Sequence, residues 1–428
     1  MRTRRDVPWM AGVALAGIAL VTACGADAAE QQAGERLKMV ANVPMRAITS
    51  GPDAHWFAYY DKFQFDPGNR YVLGNRVAFE DRAPAAGDVI ELGMVDIEDG
   101  DKWLPLANTT AWCWQQGCML QWLPGSESKI IYNIRTENGY ASVIQDVFSG
   151  EKRALPHPIY TVSGDGKYAM SLNFARVGRT RPGYGYNGFP DRNENALHPE
   201  DDGIYLIDIA SGESKLVISL ADIVKIAPDD TMEKGKHWFN HLLFNQDGSR
   251  FIFLHRWHKE TGKGWYTRGF TARPDGSDIF CFGGHGMVSH FIWRDPKHIL
   301  AWSTEPEGNF FHLYEDQTEN VETVGRGVLK ADGHCTYSPD GQWIITDTYP
   351  DSERMQNLML YRPKDGKLVD LGRFYQEQPG DIQLRCDLHP RWSRDGRYVC
   401  IDSKHTGQRQ MYLLDVSSVI LPGAEEKK

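Results

Sequence analysis

The chain has 428 residues, and its 47 Lys plus Arg against 57 Asp plus Glu give a formal charge of −10. That balance excludes nucleic acid or an anionic membrane surface as the main partner, and an acidic ligand would need a local gathering of basic groups. Length alone suggests two or three domains, but repeat folds evade that arithmetic, so internal repeats decide the architecture.

The amino terminus reads as an export signal, with Arg2, Arg4 and Arg5 ahead of an apolar run from Trp9 to Ala23. The run is shorter than the roughly 20 residues of a membrane span. It ends in VTAC, the pattern of a bacterial lipoprotein signal. This predicts a signal peptide over 1–23, cleavage before Cys24 and a lipid on its thiol, which would be the chain's membrane attachment. The expected location is the periplasm or the outer membrane, with ordinary cleavage in ADAAE and free secretion as the alternative. Residues 24–40, rich in Ala, Gln and Glu, read as a linker. Seven cysteines less Cys24 leave six, too sparse for a disulfide scaffold, so buried free thiols are expected. Cys113 with Cys118 and Cys335 with Cys386 are the pairs to examine.

From residue 41 onward two phrases alternate. The first is a tight turn followed by an apolar or alternating run: FDPGNRYVLG, WLPGSESKIIYN, VSGDGKYAMSL, FNQDGSRFIFL, WRDPKHILAWS, YSPDGQWIITD and WSRDGRYVCID. The second is an apolar strand ending in an acidic or Gly turn, from MVDIEDGDKWLPL to YLLDVSSVILPG. Each pair supplies four strands, which is one blade, and the predicted fold is an all-β, seven-bladed β-propeller over 41–428. The 13 Trp, 18 Tyr and 18 Phe suit packing between blades. One long interruption, about 174–202, is too polar and too rich in Gly and Pro for core. Its Arg176, Arg179, Arg181, Tyr184 and Tyr186 form either a basic, aromatic lip suited to an acidic sugar or a solvated insertion.

Four inner strands begin with histidine: His241 in HLLFNQDG, His290 in HFIWRDPK, His334 in HCTYSPDG and His389 in HPRWSRDG. The first residues of inner strands lie near one mouth of a propeller channel, so these imidazoles line one contiguous half of its rim. The matching residues of blades one to three are Lys62, Met119 and Ile159. Strand alternation gives Asp387 the orientation of His389. His334, Asp387 and His389 then make a ligand set, which His290 or water would complete, and whose nitrogen and oxygen donors suit Mn²⁺, Zn²⁺ or Fe²⁺. Cys335 and Cys386 would favour Zn²⁺ but point away by parity. His237 lies four residues before His241 and is placed on the substrate side. Arg256 either holds a substrate carboxylate bidentately or pairs with an acidic neighbour in its blade.

The exported character, the SPDG-type turns and the inner-strand histidines resemble the oligogalacturonate lyases and their propeller relatives, including ulvan lyases. The specific stretches are HFIWRD, GHCTYSPDGQWIITDTYPD and RCDLHPRWSRDGRYVCIDS. The resemblance implies a divalent metal, typically Mn²⁺, bound by histidines that include a His-x-His pair, with a further histidine as base. On this chain His334 matches a ligand, Asp387 and His389 take the place of the pair, and His290 falls where the base would be. Aspartate for the first histidine departs from that pattern, so Zn²⁺ stands beside Mn²⁺. HWFAYYDKFQFDPG and AWCWQQGCMLQW look more like the ulvan-lyase side, with Gln115 and Gln116 where a catalytic residue would be sought. The implied activity is β-elimination on an acidic, 4-linked uronate oligosaccharide. In that reaction Arg256 would bind the carboxylate, Arg181, Tyr184 and His237 the sugar, and water, His241 or a Tyr would protonate the leaving group. A non-catalytic periplasmic propeller of the TolB kind and a metal-assisted hydrolase are the rival readings.

Overall fold

The computed structural model describes residues 38–284 and 286–420. The expected signal peptide, Cys24 and the linker as far as residue 37 lie outside the described residues. Seven antiparallel sheets follow one another along the chain, six of four strands and one of five. This is the seven-bladed β-propeller: blade 1 spans 54–109, blade 2 121–155, blade 3 161–219, blade 4 237–283, blade 5 288–324, blade 6 336–375 and blade 7 391–415.

The recurring turn has one chemistry. In blades 3, 6 and 7 the hydroxyls of Ser163, Ser338 and Ser393 donate to Asp165, Asp340 and Asp395 (2.7, 2.5 and 2.7 Å). The same hydroxyls accept from a backbone N–H where the next strand begins or just before it, at Tyr168, Trp343 and Tyr398. The glycine of each turn takes φ between +70° and +76°, a conformation that disfavours side chains. These short turns lie on one face of the propeller. The opposite face carries the connections between blades and those between second and third strands.

One expectation for blade 7 needs correcting. Its carboxy-terminal phrase YLLDVSSVILPG was expected to give two strands, but only Gln410–Asp415 is extended, and Ser417–Ile420 is a short helix. The outermost strand comes instead from Met45–Ala47, which pairs with Tyr412 to Leu414, while Met39–Ala41 adds a fifth strand to blade 6. Strands from near both ends of the described chain therefore close the ring, and the outer edge of blade 7 is covered. The propeller begins at Met39, just inside the expected linker.

Aromatic residues fill the spaces between blades. Trp56, Trp112, Trp114, Trp122, Trp238 and Trp343 are all fully buried, with Trp56, Trp112 and Trp114 packed as a trio at 5.0–5.6 Å. Among the described residues the cysteines, including both pairs singled out from sequence, are free thiols.

Candidate metal centre

The histidines reach the channel where the backbone is irregular: contrary to expectation His241 and His290 lie inside the strands His237–Phe244 and Val288–Asp295, while His334 and His389 lie just before theirs. His241 and His389 adopt φ of +53° and +45°, and the pairing of blades 4 and 5 slips across His241 and His290. Such bulges turn a side chain out of the regular alternation and recur at functional sites. The ring centroids of His290 and His334 are 4.0 Å apart, and those of His334 and His389 4.2 Å. His241 stands across Tyr59, which stacks on it at 5.2 Å and presents its edge to His389 at 5.0 Å. Beneath them Tyr60 crosses from blade 1 to blade 5, donating to Phe291 O (2.9 Å) and accepting from Phe291 N (3.0 Å). A cavity of about 600 Å³ opens on the other side of Tyr60, at the opposite mouth, and contains none of these histidines.

His334, Asp387 and His389 offer ligand atoms within 4.8 Å of one another, and all three residues are buried. The Nε2 atoms of both histidines are buried without a hydrogen-bond partner. His334 Nδ1 faces Asp347 Oδ1 and Oδ2 at 2.9 and 3.0 Å, and the His334 backbone N–H donates to Oδ1 at 2.7 Å. His389 N–H donates to the other oxygen at 3.1 Å. One carboxylate thus fixes two imidazole-bearing residues from adjacent blades and sets the His334 tautomer so that Nε2 is the free donor. Burial works against a charge on His334, but Asp347, with Asp387 and Asp332, outweighs it and raises its pKa; the same field favours a metal cation at Nε2. His389 is held well below its ordinary pKa by burial and by the neighbouring positive groups. Two orphaned imidazole nitrogens and a carboxylate in an acidic field fit a divalent transition metal. Neither Cys335 nor Cys386 belongs to this set.

Asp387 is itself held. Arg385 Nε and Nη2 reach its two oxygens at 2.6 Å each, and although burial favours the neutral acid, Arg385 keeps its pKa low. His290 has a different environment. Its Nδ1 lies 2.8 Å from Asp332 Oδ1, and its Nε2 lies 3.4 Å from the Tyr349 hydroxyl. Burial lowers its pKa against the pull of Asp332, so the ring is neutral with Nε2 unprotonated.

His241 Nδ1 lies 3.3 Å from the Tyr160 hydroxyl and 3.4 Å from Gln116 Nε2, which gives Gln116 a positioning contact. Arg256 is buried, and its Nε donates to Thr267 Oγ1 at 3.2 Å. The groups acting on it are Arg181 and the phenols of Tyr59, Tyr184 and Tyr160, and burial pushes its pKa down to about 10. No acidic group of the blade figures among them, contrary to the pairing alternative. Arg181 stacks between Tyr184 and Trp265 (4.5 and 4.4 Å), and its Nε is buried without a partner. Among the described residues neither guanidinium has a carboxylate partner, and both lie under an aromatic cover close enough to act on His241.

Three expectations fail at the level of geometry. His237 uses both ring nitrogens within the fold, Nδ1 with His255 Nε2 of blade 4 (2.9 Å) and Nε2 with Met232 O in the segment before it (2.9 Å), leaving neither for a sugar. Arg176 is not part of a lip: it lies on the buried side of the helix Phe174–Thr180, ion-paired to Asp191 at 3.0 Å and donating to four backbone carbonyls. Tyr186 is buried, stacked on Phe174 at 4.4 Å. The insertion is therefore a folded element that delivers Arg181 and Tyr184, while Arg179 points to solvent beside Glu194. Sequence reading missed Asp332, Asp347, Tyr59, Tyr60, Tyr349 and Arg385.

Fold and site together define a β-propeller with a polar, histidine-rich centre at one channel mouth. No family model matches the chain, and no curated protein matches it in sequence. Among solved structures it is similar to an oligogalacturonate lyase in complex with manganese (14% identity, TM-score 0.63, 88% of this chain and 93% of that one). It is similar also to the oligogalacturonate lyase of Vibrio parahaemolyticus, at 13% identity and a TM-score of 0.61 over 87% of this chain and 94% of that one. The tricorn protease matches at 12% identity and a TM-score of 0.50, covering 86% of this chain but 35% of that one.

Proposed function

We propose that the protein is a metal-dependent lyase that cleaves 4-linked uronic-acid oligosaccharides by β-elimination. The observation that carries the proposal is the convergence of ring nitrogens of His334 and His389 with the Asp387 carboxylate, the Nε2 atoms of both histidines being buried without a partner, beside a His290 whose Nδ1 faces Asp332. The oligogalacturonate-lyase fold and the manganese of one such structure support it.

The hard step is removal of the proton beside the sugar carboxylate. His334, Asp387 and His389 would hold the metal, Mn²⁺ or Zn²⁺, which as a Lewis acid supplies charge stabilisation to a carboxylate becoming an enolate. Arg256 and Arg181 neutralise sugar carboxylate charge from the opposite wall, and Tyr184 covers the ring. His290 Nε2 takes the proton, and general-base catalysis of this kind contributes roughly 10²- to 10⁴-fold. Asp332 holds the Nδ1 proton and stabilises the imidazolium. The C–O bond to the leaving sugar then breaks, and its oxygen is protonated by Tyr349 or His241. The amino-terminal signal reading supports a location in the periplasm or, through a lipid at Cys24, on the outer membrane.

The test is incubation with a panel of uronate polymers and oligomers, with and without added Mn²⁺ after chelation. Elimination leaves an unsaturated, ultraviolet-absorbing product end. Cleavage without that chromophore would show hydrolysis, and a protein indifferent to metal and inert on every uronate would be a binding propeller.

A further inference from the structure

Arg385 touches the ligand set directly. Its guanidinium spans both oxygens of Asp387 at 2.6 Å, whereas the Nε2 atoms of His334 and His389 have no protein partner. Asp387 is thus the ligand whose donor atoms are already covered. Its side chain is 1% exposed and that of Arg385 12%, so the cation lies on the solvent side of the pair. The guanidinium packs over the Tyr349 ring at 4.7 Å and is within the electrostatic reach of Tyr184, the residue that roofs the sugar side. The main chain at this point is pinned, since Arg385 O accepts from Gln115 Nε2 at 2.9 Å. A change of partner therefore needs the side chain alone to turn.

A dication among His334, Asp387 and His389 and a guanidinium on Asp387 repel one another and draw on the same carboxylate charge. A planar fork that loses one carboxylate is suited to take another of the same geometry. We propose that Arg385 is a displaceable cation: it neutralises Asp387 until a divalent metal claims that carboxylate, and the released guanidinium then clamps a carboxylate of the acidic sugar. This rests on the metal-dependent reading of the site. Its consequence is linkage, because metal and uronate each strengthen the binding of the other, with Arg385 carrying the coupling.

The experiment is calorimetric titration of Mn²⁺ into the metal-free full chain and into Arg385→Gln and Arg385→Lys, each with and without saturating galacturonate, after melting curves confirm folding. Removing the competitor should make Arg385→Gln bind Mn²⁺ about 10-fold or more tightly than wild type, within the usual range of site-to-site coupling. Galacturonate should tighten Mn²⁺ binding to wild type by a larger factor than to Arg385→Gln, where only the direct attraction between metal and sugar carboxylate is left. Arg385→Lys, a point charge that cannot span both oxygens, should fall between them and carries the test if the Gln variant does not fold. Equal or weaker Mn²⁺ binding by Arg385→Gln overturns the inference while leaving the metal centre standing, since Arg385 would then be supporting Asp387. Absence of Mn²⁺ and Zn²⁺ binding in wild type and variants alike overturns the metal centre and the inference with it.

Discussion

Asp347→Asn is the perturbation that bears most directly on how the site is assembled. Asp347 is 1% exposed and accepts from three donors: His334 N–H, His334 Nδ1 and, across the blade boundary, His389 N–H. Asparagine keeps one acceptor oxygen and turns an NH₂ group towards donors, so at least one buried N–H loses its partner, at about 1–3 kcal/mol. The His334 tautomer is no longer enforced and its Nε2 becomes a poorer ligand. Loss of a carboxylate behind a ligating histidine typically weakens metal binding 10- to 100-fold, about 1.4–2.8 kcal/mol. Equilibrium dialysis against Mn²⁺ with metal analysis, alongside denaturant unfolding, reads both effects. Asp402→Asn is the matched control: Asp402 accepts from Phe57 N–H, Ala58 N–H and Arg391 but touches no histidine. Both variants should lose stability, and only Asp347→Asn should lose metal. Wild-type Mn²⁺ affinity in Asp347→Asn, or an equal loss in Asp402→Asn, would refute the tethering argument.

Other expectations follow from the same geometry. His290→Ala should lower turnover by at least about 10²-fold while sparing bound metal, whereas His334→Ala should lose both; identical behaviour of the two would remove the division of roles. Arg256→Gln should raise KM for oligouronates roughly 10- to 100-fold, the worth of a charged hydrogen bond, and a change confined to kcat would contradict its binding role. Burial holds His237 at about 4, below its unfolded value, so both states are neutral above pH 6.5 and stability falls as the unfolded chain takes up the proton between pH 6.5 and 4. The loss amounts to about 1.4 kcal/mol per pH unit from this residue, and denaturant unfolding of His237→Gln should show a correspondingly flatter pH dependence; an unchanged slope would refute it.

The blade repeat was legible because the Ser-x-Asp-Gly turn is a local device whose hydrogen bonds close within six residues, as at Ser163 to Tyr168. The strand that completes blade 7 was not, because Met45–Ala47 pairs with residues more than 360 positions away and carries no turn phrase of its own. The common register of His241, His290, His334 and His389 was legible from their shared place before each turn. Their division into a trio and an outlier was not, since it depends on Tyr59, from another blade, standing between them.

The partners of the histidines could have been found by aligning the second strands instead of the first. Asn75, Asn133, Asp347 and Asp402 occupy equivalent places near the ends of YVLGN, IIYN, IITD and VCID. Each bonds the backbone next to an inner strand: Asn75 and Asp402 at Phe57, just past Ala54–Trp56, Asn133 at Ile159, and Asp347 at His334 and His389, each just before its strand. The device is structural wherever it occurs, since an inner strand that bulges needs its freed backbone groups satisfied. Blades 6 and 7 differ from blades 1 and 2 in using a carboxylate, and at blade 6 that charge meets imidazoles. The candidate metal site is therefore built on the clamp that joins the blades. For that reason loss of Asp347 should damage fold and site together, and loss of Asp402 the fold alone.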